Sequence, residues 1–447
     1  MSSDDLSRLR NAFGRLVPLV KDHWQQPLLS YAAAVYSSHT SSENPIRTHS
    51  FAKLEERLAH RARAEGYSEL QLAGLSTELR RNPVLQTGPH CHLVIEPDAF
   101  FTHLFSLMGL KSQSSHWHIS YSVSTVKFTE SAKKGPGWLQ LDGQNINVFG
   151  LSRSKMVPFS IIGRHSPKRF MLVADDDNAG TRHFSESLRA VLPTDAFASA
   201  AEAIKAANPL LWRHAFGAQM NFLQLDDRDV IDLVCDHLRD DNSWLATSLF
   251  GDPNLISVFL DAANELTKSP WGGWFSLTTD FFWRLHDGRL RPLKVRDGVL
   301  KCALGDFKVP LKPAALLDAL EREDIIPNMF LAFIVLSILP GTRVLGGSRQ
   351  VIYYPLMRQV LLKMLTQSRA RADHELANAM LQDAMPGVWG HRTIAPTCPD
   401  PWRLVADGGP VVTAELIEYF GRQTLIEAAR DLPGFVADPL WLAVATG

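Results

Sequence analysis

The stretch Asn328-Met-Phe-Leu-Ala-Phe-Ile-Val-Leu-Ser-Ile-Leu-Pro-Gly-Thr-Arg-Val-Leu-Gly-Gly-Ser-Arg-Gln-Val-Ile-Tyr-Tyr354 decides how the rest of the chain is read. An unbroken apolar run ends at Pro340-Gly341, and a short strand at 343–345 leads into the turn Gly346-Gly347-Ser348. A helix carrying Tyr353 and Tyr354 follows. Glycines at a strand-to-helix junction let backbone N–H groups point at a ligand, and a helix N-terminus favours anions. The pattern predicts a binding site on an α/β core.

Working outward, a second strand-to-helix junction lies at Thr87-Gly-Pro-His-Cys-His92, between an apolar strand at 84–87 and a helix at 98–110. Residues 116–126 alternate like the next strand. Strand, helix, strand in that compass is the signature of a parallel sheet. Strands at 146–149, 170–173 and 220–225 are expected as well, the second stopped by the turn at 175–178. A β-meander is expected over 281–309, with Asp287-Gly288 and Asp297-Gly298 as hairpin turns.

Residues 1–81 read as helices by period and capping. The expected organisation is a helical segment at 1–81, a Rossmann-like α/β core at 82–368, and a helical segment at 369–447. A Pro/Gly-rich stretch at 386–410 reads as a loop.

Composition narrows the function classes. With 447 residues, 45% of them hydrophobic and 21% charged, the chain can build a large core. A formal charge of −1 supplies no global field toward nucleic acid or acidic lipid. The apolar run at 330–339 is far shorter than the roughly 20 residues needed to span a bilayer. Four scattered cysteines (Cys91, Cys235, Cys302, Cys398) without a Cys-x-x-Cys pair fit reduced thiols. The start of the chain has no apolar signal core. A cytoplasmic protein is expected, with no membrane partner.

Phosphate-loop, dinucleotide-fingerprint and hydrolase-elbow motifs are all missing from the sequence. What remains is polar and scattered. His90 and His92 follow the first junction, and an imidazole titrates near working pH. His116 and His118 share one strand face, and with His90, His92 or Cys91 they would complete a zinc set, although the spacing carries no metal motif. Plain hydrogen-bonded histidines are the simpler reading. Ser120, Ser122, Ser124, Thr125 and Lys127, with Lys133-Lys134-Gly135-Pro136-Gly137 after them, suit a phosphate or carboxylate, or a solvated loop. Gly150-Leu-Ser-Arg-Ser-Lys-Met156 is faintly similar to the lysine loop of adenylate-forming class I nucleotidyl enzymes. Asp226-Asp227-Arg228-Asp229 reads as a helix cap ahead of a magnesium site.

Taken in order, these pieces resemble the cysteine-adding enzyme family of bacillithiol synthesis, which joins cysteine to an amino sugar conjugated to malate. In that family a strand ends in Thr-Gly-Gln-Gln, and here Thr87-Gly88-Pro89-His90 stands in that place. An acidic cluster ends the second strand, here matched by Ser124-Thr125-Val126-Lys127. The late block Asn-x-x-x-Arg-Pro, then Pro and Gly-Pro-Gly-Glu-x-x-Tyr, matches Asn328, Pro340, Gly346-Gly347-Ser348-Arg349-Gln350 and Tyr353. The family arginine falls on Ala332 and its glutamate on Gln350. The likeness covers residues 82–365 in blocks, and the exchanged polar groups imply a different substrate, with a more acidic ligand or a different position for the anionic group.

The resemblance implies an enzyme of specialised metabolism that forms a C–N bond between an amino acid and a small amine or acid. An activated acyl intermediate and ATP as cofactor are compatible with it. Thr87, Gly88 and the Gly346–Ser348 turn would offer amides to an anion, and Lys127, Arg343 or Arg349 would neutralise it. His90 or His92 would act as general base, with Gln350 and Tyr353 orienting the nucleophile. A tRNA-bound or carrier-bound substrate fits as well, although no basic stripe predicts nucleic acid. The rival expectations are a non-catalytic metabolite-binding relative and a metal enzyme built on the four histidines.

Overall fold

Five parallel strands make the central sheet of the computed structural model: β1 (Val84–Gln86), β2 (Trp117–Tyr121), β3 (Asn221–Leu225), β4 (Arg343–Gly346) and β5 (Gly387–Trp389). Their spatial order is β5-β4-β1-β2-β3. The register sets Val84 beside Arg343, Gln86 beside both Leu345 and Ser120, Trp117 beside Asn221, and Gly346 beside Trp389. The structure describes residues 3–37, 43–88, 90–130, 133–141, 143–164, 168–175, 179–394, 401, 411–435 and 437–446.

Every residue of β1, β2 and β4 is buried, as a parallel sheet covered on both faces requires. The alternation read over 116–126 is a strand, Trp117–Tyr121, but its polar side is as buried as its apolar one. The polar positions of Trp-His-Ile-Ser-Tyr are not solvated. His118 is buried, its Nε2 sits 2.9 Å from Nδ1 of His103, and its ring stacks on Trp212.

Helices α1 (Pro97–Ser112), α2 (Ala200–Phe216), α3 (Asp227–Leu238) and α4 (Gln350–Gln367) surround the sheet. The first three start on a local side-chain cap, and α4 has none. Glu96 accepts from the Ala99 amide, Ser199 from that of Glu202, and Asp226 and Asp229 form a reciprocal capping box. The apolar run before β4 is a buried helix, Met329–Phe333, which continues as a π-helical turn at Ile334–Ile338.

The N-terminal region is helical as expected, with a break where Pro18 opens a new helix after Val17. Helix Leu28–Val35 packs on α1, where Gly109 allows the close approach: a Cβ there would collide with Tyr36 and the Ala32 carbonyl. The expected boundary at residue 368 cuts through the sheet, because β5 pairs with β4. Tyr31 donates to the Trp389 carbonyl (2.7 Å), and Phe13 stacks on Trp441 (4.8 Å).

Two further sheets lie beside the central one. The meander is an antiparallel sheet whose strands Phe282–His286, Arg289–Arg296 and Val299–Cys302 are joined at Asp287-Gly288 and Asp297-Gly298. All four turn residues have positive φ, the requirement for a two-residue hairpin of that twist. The strands expected at 146–149 and 170–173 appear as Gln144–Asn147 and Val173–Ala174, in a small antiparallel sheet of their own. The turn at 176–178, Cys398 and most of the 386–410 loop lie outside the described residues. Cys91, Cys235 and Cys302 are free and buried. No helix among the described residues is long and apolar enough to cross a membrane.

Candidate active site at the carboxyl ends of β1 and β4

The chain steps outward from β1 to β2 and β3, then returns to the other side of β1 for β4 and β5. Adjacent strands β1 and β4 therefore send their chains in opposite directions. In open parallel sheets the crevice outside such a point is where ligands bind. Thr87 and Gly88 leave β1 there, and Gly347, Ser348 and Gln350 follow β4.

The two junctions are tied together. The Thr87 amide and hydroxyl both donate to the Leu345 carbonyl (2.8 and 2.9 Å). The hydroxyl has one proton, so it accepts from Gln350 Nε2 at 2.8 Å, and Gln350 Oε1 takes the Tyr353 hydroxyl at 3.2 Å. Gly346 makes room for Gln350, since a Cβ would collide with that side chain. Beneath Gly88, Gln86 Nε2 donates to its carbonyl (2.7 Å), with Ser106 donating to Gln86 Oε1 (2.6 Å).

The amides of Gly88, Gly347 and Ser348 have no backbone acceptor among the described residues. The last two immediately precede Arg349, the N-cap of α4, where the helix dipole favours negative charge.

Between these junctions lies His391, two residues beyond β5. A Cβ on Gly88 or on Gly347 would come within 3.1 Å of its side chain. The His391 amide donates to the Gly346 carbonyl at 3.0 Å. Its Nδ1 is 2.7 Å from the Thr102 hydroxyl, which gives its own proton to the Asp98 carbonyl (2.7 Å). Thr102 must then accept, which assigns the imidazole proton to Nδ1 and a free lone pair to Nε2. Burial pushes the His391 pKa down to about 3, with Asp98 opposing. The ring is neutral at pH 7.

A second imidazole behaves in the opposite sense. His92 is buried with Nε2 3.9 Å from Glu130, whose carboxylate also lies 3.0 Å from His90 Nδ1. Burial works against charge on His92, but Glu130 and Glu96 outweigh it and its pKa rises. The hydrogen bond with His90 and the nearby His92 imidazole hold Glu130 well below the usual carboxylate range. Asp98 pairs with Arg392 and Lys134, which together overcome its burial and lower its pKa.

The structure departs from expectation at several of the predicted groups. Arg343 pairs with Val84 at the amino end of β4, is buried, and donates to the Val35 carbonyl. It sits at the wrong end of the strands to meet an anion in the crevice. Arg349 is engaged with Asp438 at 2.8 Å. Lys127 is exposed and forms an isolated bridge with Ser160, and among the described residues no hydrogen bond or ion pair joins its side chain to the cluster. The Thr87 amide is consumed within the sheet, and Pro89 lies outside the described residues. Ser124 and Thr125 offer no free amides either. Both donate to Asp227, at 2.7 and 2.6 Å, as does the Tyr121 hydroxyl (2.6 Å).

Nor do the four histidines converge. His116 precedes β2 and contacts Glu78 (3.2 Å), His118 is paired with His103, and His90 and His92 lie beyond the opposite end of the sheet. No group of three metal-type ligands occurs among the described residues. His391, Thr102, Asp98, Arg392 and Glu130 were missed by sequence reasoning. Their one signal is the polar Gly390-His391-Arg392 after the apolar pair Val388-Trp389. No family model and no curated protein matches the chain.

Proposed function

We propose that the chain is a biosynthetic enzyme of specialised metabolism that binds an amino acid in the β1–β4 crevice and joins it to a small amine or acid through a C–N bond. On this reading the core is Rossmann-like, since β3-β2-β1-β4-β5 is the order of the doubly wound dinucleotide-binding sheets, and the setting is cytoplasmic. One observation carries it. The unfilled amides of Gly88, Gly347 and Ser348 suit a carboxylate, while the neutral His391 beside them suits an amine.

Titratable groups whose environments push their pKa values apart mark acid and base roles. His391 Nε2 is the acceptor for the amine proton as nitrogen attacks an acyl carbon, and His92, whose pKa Glu130 and Glu96 raise, is the donor toward the leaving group. Gln350 and Tyr353 position the β4 turn. ATP is the candidate source of acyl activation, and the crevice residues above are not assigned to it. Calorimetric titration with amino acids, with and without ATP, tests the reading: saturable binding that His391→Ala and Gln350→Leu abolish is expected.

The depressed pKa of His391 favours one alternative, a metabolite-binding relative in which a weak base serves only as a hydrogen-bond acceptor. Saturable binding without product under any acyl donor would identify it.

A further inference from the structure

The antiparallel sheet carries a cluster of charge that the crevice does not use. Its register places Arg284 directly opposite Arg291, and His286 opposite Arg289. Directly opposed side chains on antiparallel strands stand about 5 Å apart at Cβ, and like charges there repel. The same face continues through the pairs Leu293–Cys302 and Leu300–Val309, all buried. The arginines thus belong to the core-facing side of the sheet. Both are half-buried, and neither has an ion pair or hydrogen bond among the described residues.

Arg284 and Arg291 line a cavity of about 410 Å³ together with His286, Cys302 and Phe307. The Arg284 guanidinium lies 4.3 Å from the centre of the Phe307 ring, which holds its plane. Asp306, the acid of the lining, is exposed and makes no ion pair with either arginine. A fold that sets two guanidiniums against each other without an acid is missing a counter-charge.

We propose that this cavity binds a small phosphate-bearing molecule, with the phosphoryl group bridging Arg284 and Arg291. A dianion matches two fixed cations, and the planar fork of each guanidinium suits paired phosphate oxygens. The volume exceeds that of phosphate alone and falls in the range of small-molecule sites. The inference is independent of the crevice chemistry.

The test is calorimetric and thermal titration of the full chain with inorganic phosphate and glycerol phosphate, with acetate as control. Variants are Arg284→Gln, Arg291→Gln and the double variant. Both phosphate compounds should bind saturably and acetate should not, and each single variant should weaken binding about tenfold or more. In phosphate-free buffer the single variants should melt at or above the wild-type temperature, because the repulsion is gone. Equal phosphate response in wild type and double variant would overturn the proposal. So would destabilisation of both single variants without phosphate, which would make the arginines structural.

Discussion

Thr87 Oγ1 lies 2.8 Å from Gln350 Nε2, joining the end of β1 to the first turn of α4 across 263 positions of chain. Both side chains are buried, so the bond is formed away from competing water. Thr87→Val keeps the shape but leaves the Gln350 amide without its acceptor. A buried polar group left unpaired costs about 1–3 kcal/mol. Urea unfolding should show that loss, and the loss in Thr87→Val/Gln350→Leu should be smaller than the sum of the single losses. Strict additivity would mean that the two groups do not depend on each other.

Gly88 and Gly347 press on one imidazole. Adding a methyl group at Gly347 brings it to 3.1 Å from His391 Cδ2, so either the ring or the β4 turn must move. Gly347→Ala should lower stability by about 1 kcal/mol, the range for a forced fit in a packed site. In a His391→Ala background the same change should be nearly neutral. A full penalty there would place the strain in the backbone instead.

Acid should unfold this protein early. His103 has its pKa depressed to about 3 by burial, and His118, packed against it, is lowered as well by burial and by His103. The ordinary imidazole value is about 6.5. Below it the unfolded chain takes up protons that the folded chain refuses. Stability is therefore complete above pH 6.5 and falls as pH drops toward 3. At pH 5 His103 alone accounts for roughly 2 kcal/mol. His103→Leu should give a shallower fall between pH 6.5 and 4.5, measured by denaturant unfolding at each pH. Parallel curves for variant and wild type would refute the assignment.

A buried ion triad clamps α4 to the N-terminal helices. Arg47 meets both Asp383 oxygens at 2.7 Å, and Arg358 reaches the second oxygen at 2.9 Å. Side-chain exposures of 3%, 6% and 8% mean that water cannot replace the carboxylate. Asp383→Ala strands two guanidiniums and should cost about 3–5 kcal/mol. A loss below 1 kcal/mol in chemical unfolding would show that the site opens to solvent.

Much of the fold was legible because its punctuation is local. The Gly346-Gly347 turn, the strand before it and the helix of Tyr353 follow from turn chemistry and apolar runs, as do the hairpins at Asp287-Gly288 and Asp297-Gly298. What failed was direction and coverage. Arg343 is on the expected strand, yet nothing local says that it begins the strand while the crevice lies at the other end. The alternation of β2 marks a strand but does not say which face is covered, and α1 and α2 bury its polar side. His391 escaped notice because β5 has only three residues, too few for a period, in a Pro/Gly-rich stretch. Its partner Thr102 is 289 positions away.

The central claim is that the crevice between β1 and β4 is a ligand site read by His391 and the Gly347–Ser348 amides. Its most direct test is calorimetric titration of the wild type and His391→Ala with a panel of amino acids, with thermal unfolding of the ligand-free variant as a check on folding. The account predicts saturable binding of at least one amino acid to the wild type, lost in a folded His391→Ala. Equal affinity in the two proteins, or no binding across the panel with and without ATP, would contradict it.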